Sequence, residues 1–229
     1  MLCSALMSQL PFSLYDTFAY LASGFVVLAA AAYGFDHPSV GASGIPAQQI
    51  LLGIVIIYIA GHLIAHLSSL ILESWLLRKV IGCPEDYLLC ARDRNAWARL
   101  FPANFKPLPE PTRERIRKRA NVEGVPVSGR ALFYHCHAIV KHDEVTLDRL
   151  SSFLKLYGFC RNMCLALVAS AILLLIGLAR ASASGPNAGT WAIMATGASV
   201  VMFYRYLKFY RHYALEVLTS YSEPKQTAK

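Results

Sequence analysis

Four apolar stretches, separated by polar ones, divide the 229-residue chain. A membrane-spanning helix needs about 20 mostly apolar residues, so stretches of this length predict transmembrane helices. The pattern therefore predicts an all-α integral membrane protein with four transmembrane helices arranged as two hairpins, joined by a helical insert. The predicted helices cover residues 17–34, 49–77, 162–179 and 189–203.

The composition agrees with a membrane protein. Hydrophobic residues make up 55% of the chain and charged residues only 16%, and the mean hydropathy is +0.41. Soluble domains carry about 25% charged residues. These values exclude a disordered chain, a collagen-like chain and an ordinary soluble enzyme. The formal net charge is nevertheless +8, so the position of the positive charges matters.

The positive charges lie mostly between the two hairpins. Residues 78–155 contain 15 Lys and Arg against 9 acidic residues, and residues 205–229 contain 5 against 2. By the positive-inside rule, the insert and both termini are expected in the cytoplasm. No Lys or Arg precedes the first stretch, so it lacks the basic start of a signal peptide and we expect it to be retained. The predicted domains are 1–77, 78–158, 159–204 and 205–229.

The insert contains three predicted segments. Residues 84–101 form an amphipathic helix, residues 102–111 form a proline-rich extended connector, and a long helix begins at Arg130, with Ser128 as a candidate cap. The periodicity of this last helix predicts that it continues into the third span with little break.

The most charged stretch of the insert is residues 112–121, where five basic residues fall within seven positions. One interpretation is a solvated helix face or a contact with anionic lipid headgroups. The other is a binding site for a polyanion such as a nucleotide or an oligonucleotide, although no glycine-rich phosphate loop accompanies it. The candidate ligand-binding residues are Arg113, Arg115, Arg117, Lys118 and Arg119.

Polar side chains also occur inside the second stretch, where His62, His66, Ser69 and Glu73 follow helical spacing. Ionisable groups at membrane depth are costly and usually face a bundle interior or water, so this stripe could line a pore or a proton path. Hydrogen bonding between helices of the bundle and haem or metal ligation are the alternatives.

Basic residues flank the last two stretches on the predicted cytoplasmic side. An aromatic belt and snorkelling side chains account for them without any function. In an oligomer the same residues would ring the cytoplasmic mouth of a pore. They are Arg161, Arg205, Lys208 and Arg211.

Metal and catalytic sites are not predicted. The six cysteines suggest free thiols in a reducing compartment. His135 and His137 are two apart and point away from each other on a helix. Arg130 and His135 match the R-x4-H spacing of HEPN ribonucleases, but Ala131 replaces the polar residue that usually follows the arginine. No nucleophile elbow, HExxH motif or catalytic carboxylate pair occurs, so we expect no enzyme and no cofactor.

Four spans, a basic cytoplasmic insert and no enzyme motif resemble the membrane effectors of bacterial anti-phage systems. The nearest analogue is the channel component of the Hailong defence system, and the membrane accessory proteins of type VI CRISPR systems are a looser one. The resemblance covers the architecture of the whole chain. It implies a homo-oligomeric channel in the bacterial inner membrane, controlled by a nucleotide or DNA oligomer that a partner nucleotidyltransferase makes.

Two other functions fit the same sequence. The chain could be a non-conducting membrane anchor or scaffold that recruits a soluble partner through its insert. It could also be a membrane enzyme or a proton-coupled carrier that uses His62, His66 and Glu73. These alternatives differ in whether the protein conducts ions and in which side chains its activity depends on.

Overall fold

The computed structural model describes residues 14–35, 46–89, 99–127, 129–180 and 187–223. Within these ranges every regular element is a helix, which confirms the all-α fold class. In chain order the main elements are α1 (Leu14–Gly34), α2 (Ala47–Ser68) continued by a π-helical segment (Ser69–Ile81), α3 (Pro84–Leu89), a 3-10 turn (Pro102–Phe105), α4 (Glu110–Val122), α5 (Gly129–Val140), α6 (Glu144–Ala179) and α7 (Ala188–Ser222).

Three stretches of helix are long and apolar enough to cross a membrane: Tyr15–Gly34, Ala47–Leu89 and Glu144–Ala179. They agree with three of the four predicted spans and fit a membrane protein. The fourth prediction, residues 189–203, lies in α7 and is not confirmed. That stretch has only 15 residues, contains two glycines, two threonines and one serine, and is followed after Tyr204 by Arg205.

The chain forms two compact units. The apolar unit consists of the described parts of Met1–Leu72 and Gly158–Phe203, and the polar unit consists of those of Glu73–Tyr157 and Tyr204–Lys229. Both α6 and α7 therefore contribute residues to each unit.

Glycines bring the backbones of the apolar unit into direct contact. A Cβ atom at Gly61 of α2 would lie 1.9 Å from the carbonyl oxygen of Tyr20 in α1, and one at Gly24 would lie 1.9 Å from that of Ile57. At the end of α1, a Cβ at Gly177 of α6 would lie 2.1 Å from the carbonyl oxygen of Gly34. Only glycine permits these approaches, which are typical of helices packed in membranes.

The polar unit has a conventional hydrophobic core. Ile116 and Ala120 lie one turn apart on α4 and are fully buried, so they fix the face that this helix turns inward. They pack with apolar side chains from α3, α5, α6 and α7, including Leu88, Leu132, Leu150 and Leu218.

The structure corrects the prediction of one long helix from Arg130. α5 ends at Val140 and α6 begins at Glu144, because Asp143 caps the new helix. Its Oδ2 accepts a hydrogen bond from the backbone N–H of Thr146 at 3.2 Å, which replaces a bond that the first turn cannot make internally. From Glu144 onward the helix does continue through the predicted third span.

The other segments of the insert differ in detail from the prediction. The amphipathic helix begins at Pro84 as predicted, and α3 ends at Leu89; residues 90–98, which the prediction also includes, lie outside the described residues, as does Ser128. The proline-rich stretch forms a short 3-10 turn and then an extended segment, in which the Leu108 N–H donates to the Leu88 carbonyl (3.1 Å).

Candidate functional site

All five predicted ligand-binding residues lie on α4, but they have different surroundings. Arg113 forms an ion pair with Glu110, and only 13% of its side chain is exposed. Arg117 donates from Nη2 to the Leu89 carbonyl (3.3 Å) and lies 3.8 Å from Glu110. These two arginines are therefore held within the fold.

Arg119 ties α4 to the C-terminal end of α7. Its Nε donates to Glu123 Oε1 at 3.0 Å, and its Nη1 donates to the Tyr221 carbonyl at 2.6 Å and to the Glu223 carbonyl at 3.3 Å. The guanidinium also lies 4.4 Å from the centre of the Tyr221 ring, in a cation–π contact. Carbonyls at the end of a helix have no partner inside it, so Arg119 serves as their cap.

The Glu123 carboxylate contacts three side chains of this cluster. Besides Arg119, its carboxylate accepts hydrogen bonds from His135 Nε2 and from the Tyr221 hydroxyl, each at 2.7 Å. Burial acts to raise its pKa, but the three donors outweigh burial and lower the pKa of Glu123 to about 2. Beside it, burial and the charge of Glu123 raise the pKa of the Cys136 thiol to about 12, so that thiol stays protonated.

The two remaining candidates, Arg115 and Lys118, are exposed. They are three positions apart and so share one face of α4. Arg115 donates from Nε to the carbonyl of Pro111, one turn earlier, at 3.4 Å. The basic run thus divides into three arginines that stabilise the polar unit and two cations that face solvent.

A polar cavity of about 1110 Å³ lies beside Arg119. Apart from histidines, the charged groups of its lining are two carboxylates and one guanidinium, so the cavity does not concentrate fixed positive charge and does not favour a polyanion. Its polar lining includes Arg119, His135, His142, Asp143, Ser220 and Glu223.

The residues of the predicted intramembrane stripe are divided between the two units and have different surroundings. His62 stacks on Tyr20, with ring centres 4.1 Å apart, and meets Tyr58 edge-on at 4.6 Å, whereas His66 is exposed. The π-helical winding starts at Ser69, where it changes which positions share a face. Glu73 belongs to the polar unit, where it pairs with Arg78 at 3.3 Å.

A buried polar cluster in the apolar unit escaped sequence analysis. Ser68 Oγ donates to Asn162 Oδ1 at 2.7 Å, and Arg161 Nε donates to Ser68 Oγ at 3.2 Å. Ser68 and Asn162 are both buried. Helical spacing from His62 selected Ser69 instead of Ser68, its neighbour. The sequence signal for this cluster was the polar pair Arg161 and Asn162 at the start of an apolar stretch.

The four residues predicted at a pore mouth are divided between the two units. Arg161 belongs to the apolar unit and the other three to the polar unit. Arg211 donates to the carbonyls of Asn104 and Lys106 at 2.7 and 2.6 Å, and so holds the extended segment before α4. Arg205 lies over the Phe209 ring at 5.3 Å, and Lys208 is exposed.

The two residues of the R-x4-H pair contact different partners. Arg130 Nη2 lies 3.5 Å from Cys83 Sγ, whereas His135 contacts Glu123. Sequence analysis also missed Glu85, which is buried in the polar unit and accepts a hydrogen bond from the Tyr210 hydroxyl at 3.3 Å. In the described ranges, no group of three His, Cys, Asp or Glu residues could hold a metal ion.

Comparison of the chain with protein-family models, curated proteins and solved structures gives no match.

Proposed function

We propose that the chain is the subunit of an oligomeric channel in the bacterial inner membrane, opened by an anionic nucleotide or oligonucleotide. In this proposal four helices span the membrane, the fourth being the apolar part of α7, and both termini lie in the cytoplasm. The architectural resemblance to anti-phage effectors suggests a role in defence and a nucleotidyltransferase that supplies the ligand.

The observation that carries the ligand half of the proposal is the exposed pair Arg115 and Lys118. They are cations on one face of a helix whose opposite face is fixed by the buried Ile116 and Ala120. Basic side chains that already have partners contribute little to binding a phosphate, whereas exposed ones release counterions when a phosphate replaces them. The ligand is therefore expected at Arg115 and Lys118.

Arg119 supplies a physical connection from that face to the rest of the chain. It lies one residue after Lys118 and holds the final carbonyls of α7. The N-terminal part of α7 belongs to the apolar unit. A ligand that binds better to one conformation of α4 than to another would shift the population of channel states.

An oligomer is required because four helices enclose little space. The apolar part of α7 exposes Ile193, Val200 and Val201, which suits contact with lipid or with a neighbouring subunit. Rings of identical subunits usually have cyclic symmetry.

The test uses the full chain in proteoliposomes loaded with a potassium-sensitive dye. A fluorescein-labelled single-stranded DNA oligomer serves as the probe, with binding followed by anisotropy and conductance by dye response. Arg115→Ala/Lys118→Ala should weaken binding by tenfold or more at low salt, since two phosphate contacts are lost, and should raise the probe concentration needed for conductance equally.

The matched control is Lys141→Ala/Lys155→Ala, which removes the same charge from two exposed positions outside α4. It should leave binding nearly unchanged. If both double variants weaken binding equally, attraction depends on net charge and the α4 site is wrong. If neither variant nor the parent binds the oligomer, the ligand half of the proposal fails.

A non-conducting anchor is the second candidate, and one observation favours it. Two polar side chains of the apolar unit have partners within the chain: His62 contacts two tyrosines, and Ser68 contacts Asn162. Such contacts stabilise a bundle and need no water-filled path. The anchor predicts that proteoliposomes stay impermeable to potassium at every probe concentration.

A further inference from the structure

The apolar unit contains a groove of about 370 Å³ between α1, α6 and α7. Its walls are almost entirely carbon. Val26, Ala30 and Tyr33 come from α1, Leu174 from α6, and Trp191 and Ala195 from α7. Residues 26–33 and 191–198 border it, and at 1.5 Å per residue each wall runs about 10 Å along its helix.

The hydroxyl of Ser170 in the groove wall already has partners. Ser170 Oγ lies 2.8 Å from the Ala166 carbonyl and 3.2 Å from the Val26 carbonyl. The groove therefore offers water little to bind, and apolar cavities of this kind stay dry or accept apolar molecules. Since α1 and α6 are long and apolar enough to cross a membrane, the apolar molecules at hand are lipid chains.

One end of the groove is chemically different. α1 ends there at Gly34, which closely approaches Gly177 of α6. α6 itself ends at Ala179, two residues after Gly177. Tyr33 and Trp191 stand at this end, as aromatic side chains do at membrane surfaces. Arg180 follows α6 directly, is exposed, and lies 5.9 Å from the Phe35 ring.

We propose that this groove binds one acyl chain of a phospholipid whose phosphate contacts Arg180. The charge of Arg180, directly after α6, complements a phosphate diester, and the apolar walls of the groove complement a hydrocarbon chain. A bilayer gives little hydrophobic gain for entering the groove, so close packing and the phosphate contact must provide the selectivity. Because the site needs neither conductance nor a nucleotide, it is independent of the proposed channel function.

The experiment uses the fluorescence of Trp191 in the groove wall. The chain has three tryptophans, so Trp75→Phe/Trp97→Phe leaves Trp191 as the only emitter. This full-length variant in detergent is titrated with phosphatidylglycerol that carries dibrominated acyl chains, since bromine quenches nearby indoles. We expect saturable quenching. Brominated diacylglycerol, which lacks the phosphate, should need about tenfold more lipid for half-saturation.

Three variants test the site itself. Ala195→Phe fills the groove and should weaken quenching by tenfold or more, and Ala198→Leu does the same at a more exposed wall position. Gly197→Phe is the control on the same helix, since nothing lies within 4 Å of a Cβ there; it should behave as the parent. Arg180→Gln should remove the difference between the phospholipid and diacylglycerol.

Other results would overturn the proposal. Quenching that does not saturate, or that is equal in Ala195→Phe, Ala198→Leu and Gly197→Phe, means that Trp191 only samples bulk lipid. If the groove-filling variants change the oligomeric state by light scattering while quenching persists, the groove holds a second copy of this chain. Circular dichroism shows which variants fold, and Ala198→Leu decides the outcome if Ala195→Phe does not.

Discussion

In the apolar unit the closest contacts between helices are made by backbone, whereas in the polar unit charged side chains make many of the ties. Gly24 and Gly61 allow α1 to touch α2 with no side chain between them. In the polar unit, by contrast, the Arg119 guanidinium donates to a backbone carbonyl at the end of α7. The Arg211 guanidinium likewise donates to a carbonyl of the segment before α4.

The difference follows from the two solvents. Lipid is as apolar as leucine, so helices gain little by burying large side chains and instead gain from close packing of small ones. In water, burying Ile116 and Leu132 is favourable, and long arginines can reach carbonyls that would otherwise lack a partner. The free energy of unfolding should therefore depend most on side-chain volume in the apolar unit. In the polar unit it should depend most on charged side chains that make hydrogen bonds.

The largest effect is expected from one added methyl group in the apolar unit. In Gly61→Ala the new Cβ would lie 1.9 Å from the Tyr20 carbonyl oxygen, so α1 and α2 must separate. We expect destabilisation above the ~1–3 kcal/mol that overpacking usually costs, because the new contact is with backbone. The measurement is the unfolding midpoint in detergent.

Gly53→Ala is the matched control on the same helix, where nothing lies within 4 Å of the added Cβ. Alanine is the better helix former, so this variant should gain up to about 1 kcal/mol. Changes of the same sign in both variants would mean that helix propensity decides, and the backbone contact would have no special importance.

The next largest effect is expected from Arg119→Ala. It removes an ion pair, two hydrogen bonds to carbonyls and a cation–π contact, and we expect a loss of about 2–3 kcal/mol. Lys118→Ala removes the same charge from an exposed neighbour and should change stability by less than ~0.5 kcal/mol.

Cys136 provides a local readout for this pair. Its thiol is fully buried and protonated, so a maleimide can label it only after the surrounding core opens. In a background that lacks the other cysteines, labelling should be faster in Arg119→Ala than in Lys118→Ala. Equal rates would show that Arg119 does not hold the end of α7.

How much the sequence could predict depended on the range of the interactions. Hydrophobic runs identify α1, α2 and α6 because a spanning helix is defined by length and composition. The break before α6 needed only local chemistry, since Asp143 is a good capping residue, yet the continuous apolar spacing outweighed it. The winding change at Ser69 has no known sequence signal, and it alters the face on which Glu73 lies.

The basic run shows the limit for sites. Five cations in seven residues can be counted from sequence, but their partners are distant in the chain. Arg117 binds Leu89 and Arg119 binds Tyr221, so only tertiary structure distinguishes them from Arg115 and Lys118. The same holds for Ser68 and Asn162, which meet across 94 positions.

The third effect depends on pH. Glu123 has its pKa lowered to about 2 from an ordinary value of 4.5, so its charged form stabilises the folded state above about pH 4.5. That contribution is lost as the pH falls through 2. Glu123→Gln should therefore cost about 1–2 kcal/mol at pH 7, and the difference from the parent should shrink between pH 4.5 and 2.

Unfolding midpoints at pH 7, 4 and 2.5 provide the measurement, with Glu114→Gln as the control. Glu114 is an exposed acid on α4, the helix that Glu123 directly follows, so its variant should behave as the parent does at each pH. A cost for Glu123→Gln that stays constant down to pH 2.5 would mean that the carboxylate charge contributes nothing to the cluster.

The smallest effect is expected from a second ion pair of the polar unit. Arg149 Nη1 lies 3.4 Å from Glu216 Oε1, joining α6 to α7, but 66% of the arginine side chain is exposed. Exposed pairs contribute about 0–1 kcal/mol because water screens them. Arg149→Ala should therefore shift the unfolding midpoint far less than Arg119→Ala, although both remove an arginine that contacts α7. Equal shifts would mean that any arginine that pairs with α7 has the same effect, and that the carbonyl contacts of Arg119 contribute nothing more.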